Sequence, residues 1–258
     1  GRTGGIGSST FEGNTASVLG GAVLVMGDLT GDISGSTFTS NTAAWGGALY
    51  LGGNVDISGA NAKFTNNTAK YDPASTSSGL GGAIFHSAGH NPGDPDKTFS
   101  LSATAGAPIV FSGNTHNPGN AGATPNSIYF GNTWTDDPAG PYDGKVTATF
   151  NVAAGGALHM WDPLASQPDD LDDGFGGTLA NLALNITKPG PGVWALAGVS
   201  DMRSATNWTV GAGTLHLVAD AAGAPAHIKL ANTTNKMAVA DPASFSLKSG
   251  ASLLVEPA

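Results

Sequence analysis

The chain has 258 residues, is rich in glycine and carries little charge: 39 residues are glycine, and Asp, Glu, Lys and Arg together make up only 11%. Its net charge is −9, and its ten Lys and Arg residues form no cluster, which argues against nucleic acid and anionic membranes as partners. Cysteine is absent, so packing rather than disulfide bonds must stabilise the fold. The start, Gly1-Arg-Thr-Gly-Gly, lacks the charged and then apolar pattern of a signal peptide, so we expect a piece of a longer secreted protein.

A two-part pattern recurs along the chain. The first part is Phe-x-x-Asn, and the second is Gly-Gly-Ala followed by an aliphatic residue. The first part is found at Phe11 and Asn14, Phe38 and Asn41, Phe64 and Asn67, and Phe111 and Asn114. The second part begins at Gly20 and Gly21, Gly46 and Gly47, Gly81 and Gly82, and Gly155 and Gly156. The first three Phe residues are 27 and 26 residues apart, a period typical of solenoid proteins.

Short apolar alternations bounded by glycine predict strands rather than helices. A third strand in each turn is predicted from Asp32-Ile-Ser-Gly and its repetition Asp56-Ile-Ser-Gly. We therefore predict an all-β, right-handed parallel β-helix with inserted loops, of roughly ten turns and about 50 Å in length. Equivalent residues would stack, giving a buried column of Phe rings and a ladder of Asn amides. The Gly-Gly pairs would form tight corners.

The pattern divides the predicted coil, a single β-helix over 1–258, into three regions. Residues 1–130 hold the clean repeat turns, 131–174 are rich in inserted loops, and 175–258 continue the coil with a different kind of turn. The insertions, rich in Pro, Asp, Gly and Ser, are Lys70 to Gly79, Ser87 to Lys97, Thr133 to Lys145 and Trp161 to Gly174. Trp194 and Trp208 are expected to fill the core.

Loops on a rigid scaffold are where binding usually occurs. The candidate ligand contacts in the insertions are Trp134, Asp136, Asp137, Tyr142 and Trp161. A Trp at such a position can stack on a sugar ring or anchor a protein partner. Trp45 is a further candidate, with the alternative that it covers a corner of the coil.

Catalytic and metal-binding patterns are weak in this sequence. The acidic run Asp169, Asp170, Asp172 and Asp173 lacks the spacing of a calcium loop, so we interpret it as a solvated loop. His86, His90 and His116 lack the second pair of ligands expected of a zinc site. Arg2 and Arg203 are the only arginines, and no Gly-x-Ser-x-Gly or phosphate-binding loop is found. We expect no catalytic residue, cofactor or metal. The alternative is a carbohydrate-active enzyme with its site among the insertions at 133–174.

The alternating Phe-x-x-Asn and Gly-Gly-Ala-aliphatic motifs resemble the passenger repeats of chlamydial polymorphic outer-membrane proteins and related bacterial autotransporter adhesins. Phe111 to Asn114 followed by Asn126-Ser-Ile-Tyr is similar to a last repeat, with Asn-Ser-Ile-Tyr in place of Gly-Gly-Ala-Ile. Gly190 to Gly198, Trp208 to Leu217 and Ser246 to Val255 resemble the end of an autotransporter β-helix.

This resemblance implies a non-enzymatic passenger segment, acting as an adhesin or structural stalk at the bacterial cell surface or in secreted form. The implied partner is a protein or glycan of a host or neighbouring cell. Membrane attachment would come only through a C-terminal barrel outside this stretch. A further alternative is self-association into a filament through unpaired strand edges.

Overall fold

The computed structural model describes residues 2–74, 78–89, 95–131, 145–167, 182–202, 206–219, 227–230 and 244–255. Within these residues, parallel strands stack in three long sheets, and the chain visits the sheets in the same order in every turn. This arrangement confirms the predicted parallel β-helix.

Face 1 is an eight-stranded sheet in which successive turns lie side by side. Its strands are β1 (Arg2–Thr3), β4 (Leu29–Asp32), β8 (Val55–Ser58), β12 (Lys97–Ala103), β17 (Lys145–Val152), β20 (Ala183–Lys188), β23 (Thr206–Val210) and β26 (Ser244–Leu247).

Face 2 is also an eight-stranded parallel sheet, and it carries the Phe-x-x-Asn motifs. Its strands are β2 (Thr10–Glu12), β5 (Thr37–Thr39), β9 (Lys63–Thr65), β13 (Ile109–Ser112), β18 (Ala157–Met160), β21 (Val193–Ala197), β24 (Gly213–Val218) and β27 (Ala251–Val255).

Face 3 has seven strands and follows the Gly-Gly corners. Its strands are β3 (Val23–Val25), β7 (Leu49–Leu51), β11 (Ile84–Ser87), β16 (Ile128–Gly131), β19 (Ala165–Ser166), β22 (Val199–Met202) and β25 (His227–Leu230).

A fourth, four-stranded sheet of short strands lies in the connection from face 2 to face 3. Its strands are β6 (Thr42–Ala43), β10 (Thr68–Ala69), β14 (Thr115–His116) and β15 (Thr124–Pro125), and β15 runs antiparallel to β14. A 3₁₀ turn, Pro118–Asn120, joins these last two strands.

Three details of the predicted coil are corrected by the sheets. Eight strands stack in each of the longest sheets of the described residues, so the coil there has eight turns rather than the predicted ten. Gly155-Gly156-Ala157-Leu158 does not begin a fourth corner to face 3, because Leu158 pairs with Ile109 on face 2. The segment predicted as the last repeat does lie on face 3, but one residue out of the predicted register, since Ile128 rather than Tyr129 pairs with Ile84.

The main core fills the inside of the coil. The rings of Phe11, Phe38, Phe64 and Phe111 form a continuous stack, with centroids 4.6–5.0 Å apart and planes within 5° of parallel. Further along the axis, Trp194 and Trp208 are fully buried and stack at 5.6 Å, as expected. Aromatic stacking therefore runs through the inside of the coil at the spacing of the strands.

A second, smaller hydrophobic cluster lies outside face 3. Leu49 and Leu51 face the main core, so Tyr50 between them points outward, and it stacks at 5.5 Å on Phe85 of the next turn. These rings pack with Trp45 and Leu80 from the connections that precede the Gly-Gly corners. The connecting segment thus contributes a hydrophobic cover to the outside of this face.

The Gly-Gly corners need glycine for two separate reasons. Gly46 has a φ of +65°, in the left-handed region that side chains disfavour. Gly47 lies so close to the next turn that a Cβ atom would stand 2.1 Å from the carbonyl oxygen of Gly82. The second glycine of each pair is therefore required by the close contact between successive turns.

Replacing Gly47 with alanine should consequently destabilise the coil by on the order of 3 kcal/mol, because backbone of the next turn must move. Gly27→Ala is the matched control: a Cβ there meets no atom within 4 Å, so its change should stay within about 0.5 kcal/mol. Urea denaturation, read as a change of midpoint at constant slope, measures both. Equal midpoints for the two variants would contradict this account of the corner.

Candidate functional surfaces and the polar ladder

The asparagines of the Phe-x-x-Asn motifs form a ladder along the corner after face 2. In each step, one asparagine donates both its backbone N–H and its side-chain Nδ2–H to Oδ1 of the asparagine in the next turn. For Asn41 donating to Asn67 both distances are 3.0 Å. For Asn67 donating to Asn114 they are 3.1 and 2.8 Å. All these donors point toward the C-terminal end of the coil.

The second hydrogen of each buried amide is also used. Asn41 Nδ2 donates to the carbonyl oxygen of Phe11, and Asn67 Nδ2 to that of Phe38, both at 2.9 Å. Because a buried polar group without a partner is costly, an asparagine is well suited to this corner. The side-chain amide of Asn41 makes four hydrogen bonds to three neighbouring residues at once.

Asp162 ends the ladder, and sequence analysis did not single it out. Its Oδ2 accepts from the backbone N and from Nδ2 of Asn114 at 2.9 and 2.7 Å, and its Oδ1 accepts from Gly113 N at 2.9 Å. A carboxylate only accepts hydrogen bonds, and the ladder presents only donors at this end. The available signal was Met160-Trp161-Asp162, a Phe-x-x-Asn motif shortened by one residue.

Burial raises the pKa of the Asp162 carboxyl above its ordinary value, and the hydrogen bonds from Asn114 and Gly113 act in the opposite direction. The residue is 3% exposed. Its role in the described structure is to satisfy the last donors of the ladder.

Asp162→Ala should therefore leave three donors, two of them buried, without an acceptor and destabilise the protein by on the order of 3 kcal/mol. Asp162→Asn keeps an acceptor for Asn114 and loses only the bond from Gly113, so its cost should be about half as large. Asp56→Ala, at an exposed position on face 1, is the control. Denaturation of the three variants tests the ladder, and an Ala variant as stable as the Asp56 control would refute it.

His86 is a histidine inside the hydrophobic core. It occupies the position of Leu51 in the preceding turn and Phe130 in the next, and it is fully buried. Its Nε2 lies 3.1 Å from the carbonyl oxygen of Gly53, and its ring meets Phe99 edge to face at 5.4 Å. Burial lowers the pKa of His86 to about 4, so the ring is neutral at physiological pH.

His86 makes the stability of the coil sensitive to acid. The unfolded chain takes up this proton near pH 6.5, whereas the folded chain resists until about pH 4. This proton does not affect the free energy of unfolding above pH 6.5. As the pH falls toward 4, it lowers the free energy of unfolding by about 3 kcal/mol in total. His86→Leu, which places the residue of the preceding turn there, should remove this part of the acid dependence. Unfolding free energies measured from pH 7 to pH 4 test it, and an unchanged dependence in the variant would contradict the assignment.

Lys188 is a further buried titratable group among the described residues. It is 1% exposed, and its Nζ donates to the carbonyl oxygens of Gly190 at 2.7 Å and Ala212 at 2.8 Å. Burial lowers the pKa of Lys188 to about 8. The amine ties the corner of one turn to the corner of the next.

Of the ligand contacts predicted in the insertions, Trp161 lies within the described residues. It lies on the outside of face 2 and is 42% exposed. Its ring stacks on that of His159 at 5.4 Å and 10°, and burial lowers the pKa of His159. The pair presents a fixed indole at the surface.

The other predicted contacts divide between buried and undescribed residues. Trp45 is 1% exposed, so it covers a corner of the coil and is not available to a ligand. Trp134, Asp136, Asp137 and Tyr142 lie outside the described residues, as do the acidic run from Asp169, His90 and Arg203. Part of the loop-rich region 131–174 belongs to the coil, since β17, β18 and β19 form a complete turn there.

In the part of the chain that the structure describes, no three His, Asp or Glu side chains are grouped as metal ligands would be. His116 belongs to β14 and lies beside Tyr129, with ring centroids 6.2 Å apart. None of the described helical residues forms a helix with the length and hydrophobicity needed to cross a membrane.

Fold and ladder together define a β-solenoid built from stacked Phe-x-x-Asn and Gly-Gly turns. Three of its segments, residues 8–25, 35–52 and 61–87, match the family model of the Chlamydia polymorphic membrane protein (Chlamydia_PMP) repeat. These matches confirm the resemblance drawn from the motifs, and they are consistent with a passenger of the autotransporter type. No curated protein and no solved structure matches the chain.

Proposed function

We propose that the chain is a non-enzymatic segment of an autotransporter passenger, displayed on the outer surface of a bacterium or secreted, and that it acts as an adhesin. The observation that carries this proposal is the match of three successive turns to polymorphic membrane protein repeats. The geometry supports it, because the repeat residues hold one turn to the next and leave the outsides of faces 1 and 2 free for contact. The coil is then a rigid scaffold for a binding surface.

The proposed partner is a protein or glycan on the surface of a host or neighbouring cell. Trp161 is the best-defined contact, since its indole is exposed while its position is fixed against His159. An aromatic ring held in this way loses little conformational entropy on binding. Trp134 and Tyr142 from the insertions are proposed as further contacts.

Trp161→Ala should weaken binding of the purified chain to epithelial cells at least tenfold, which corresponds to about 1.4 kcal/mol. Met26→Ala is the matched control, because Met26 is also a large exposed apolar residue, at 58%, on a different face. Flow cytometry with labelled protein measures both variants, alongside a double variant at Trp134 and Tyr142. Unchanged binding in all of them would remove these contacts from the proposal, and no binding by the wild type would contradict the adhesin role.

A further inference from the structure

The outer surface of face 1 has an unusual and uniform composition. Strand alternation settles which residues point outward: Phe99 and Leu101 are buried in the core, and Ser100 between them faces out. The outward residues form columns along the axis, and those of the three central columns are all Asp, Asn, Ser or Thr. The first column is Asp28, Asn54, Thr98, Thr147, Asn185 and Asn207. The second column is Thr30, Asp56, Ser100, Thr149, Thr187, Thr209 and Ser246. The third column is Asp32, Ser58, Ser102 and Asn151.

Hydrogen bonds between turns hold these short side chains in place. Asn207 Nδ2 donates to Asn185 Oδ1 at 2.9 Å, and the hydroxyls of Thr149 and Thr187 lie 3.2 Å apart. Neighbouring groups are therefore about 4.8 Å apart along the axis and roughly 7 Å apart across it. Short side chains that are already ordered lose little entropy when a ligand binds.

At the N-terminal end, this surface forms a shallow, open groove of about 400 Å³. Among its glycines, Gly4 leaves open space, since a Cβ there would meet no atom within 4 Å. The lining residues are Gly4, Gly5, Thr30, Gly31, Asp32, Asp56, Ser58 and Ser102.

The groove offers hydrogen-bond acceptors and negative charge. Asp32 Oδ1 accepts from the Ser34 hydroxyl, from Ser34 N at 2.8 Å and from the Ser58 hydroxyl at 3.0 Å. These bonds, the Ser34 hydroxyl first, lower the pKa of Asp32, so the carboxylate is ionised at neutral pH. Asp56 is exposed in the next turn. None of the lining residues that the structure describes is Lys or Arg, so an anionic ligand is disfavoured and a ligand with many uncharged donors is favoured.

We propose that this groove, continued by the polar columns of face 1, binds a neutral, hydroxyl-rich linear glycan. The groove holds one end of the glycan, and the columns provide repeated hydroxyl and amide partners for successive sugar units. This inference deepens the proposed function by naming the ligand class and a surface separate from Trp161. It rests on that function only for the biological setting.

The test uses the whole chain and a set of uncharged hexasaccharides of glucose, mannose and galactose, with sulfated and uronic-acid hexasaccharides for comparison. We expect titration calorimetry to show binding of at least one uncharged hexasaccharide and weaker binding of its monosaccharide. Thr30→Arg, which fills the groove from an exposed position, should reduce the affinity at least tenfold. Thr10→Arg is the matched control, since Thr10 is likewise an exposed threonine on an outer strand surface, on face 2. Equal urea midpoints for the two variants establish that both are folded.

Lack of binding to every uncharged hexasaccharide, a preference for the anionic ones, or unchanged binding by Thr30→Arg would each overturn the inference. Its failure is distinguishable from failure of the proposed function. Binding to cells without binding to uncharged glycans refutes the groove alone, whereas glycan binding without binding to cells refutes the adhesin role alone.

Discussion

Everything in this structure depends on the register between successive turns. Because the strands are parallel and in register, each residue lies beside its equivalent at about the strand spacing. Phe38 then stacks on Phe64 at 4.7 Å, and Asn41 meets Asn67 at hydrogen-bonding distance. A shift of one residue would turn every inward side chain outward. The buried amides fix this register more sharply than the apolar residues can, because they tolerate no misplacement.

The asparagine ladder has one direction of hydrogen-bond donation, and the residue at its end must match that direction. Every step donates in the same direction, so its last member must accept without donating, which a carboxylate does and an amide does not. Asp162 meets this requirement. Other corners are joined through backbone carbonyls: Ser127 N donates to Pro163 O at 2.8 Å at the entry to face 3, and Lys188 Nζ donates to Gly190 and Ala212 between faces 1 and 2.

The fold could be predicted from the sequence because each residue of its repeat, Phe, Asn or paired Gly, has a strict physical role. Phe and Asn at a fixed spacing predicted the stack and the ladder, and paired glycines predicted the corners. The same reasoning failed at Gly155, since a glycine pair also suits an ordinary tight turn, here with a φ of +69°. Asp162 was missed because Met160-Trp161-Asp162 is one residue shorter than Phe-x-x-Asn and so does not match the spacing of that motif. The groove could not be predicted, because it depends on how the outward side chains of adjacent turns lie beside one another.

The inside and the outside of the coil therefore serve different purposes. The inside fixes register and rigidity, while the outside differs from face to face: polar columns on face 1, the Trp161 pair on face 2 and a covered aromatic cluster on face 3. A rigid inside is the condition on which the outer surfaces depend.

Hydrogen exchange of the backbone amides of Asn41, Asn67 and Asn114 measures this rigidity most directly. We expect these three backbone amides to exchange slowly and at similar rates, since they open only when the coil unfolds. Fast exchange at these amides, while the neighbouring strands stay protected, would contradict it.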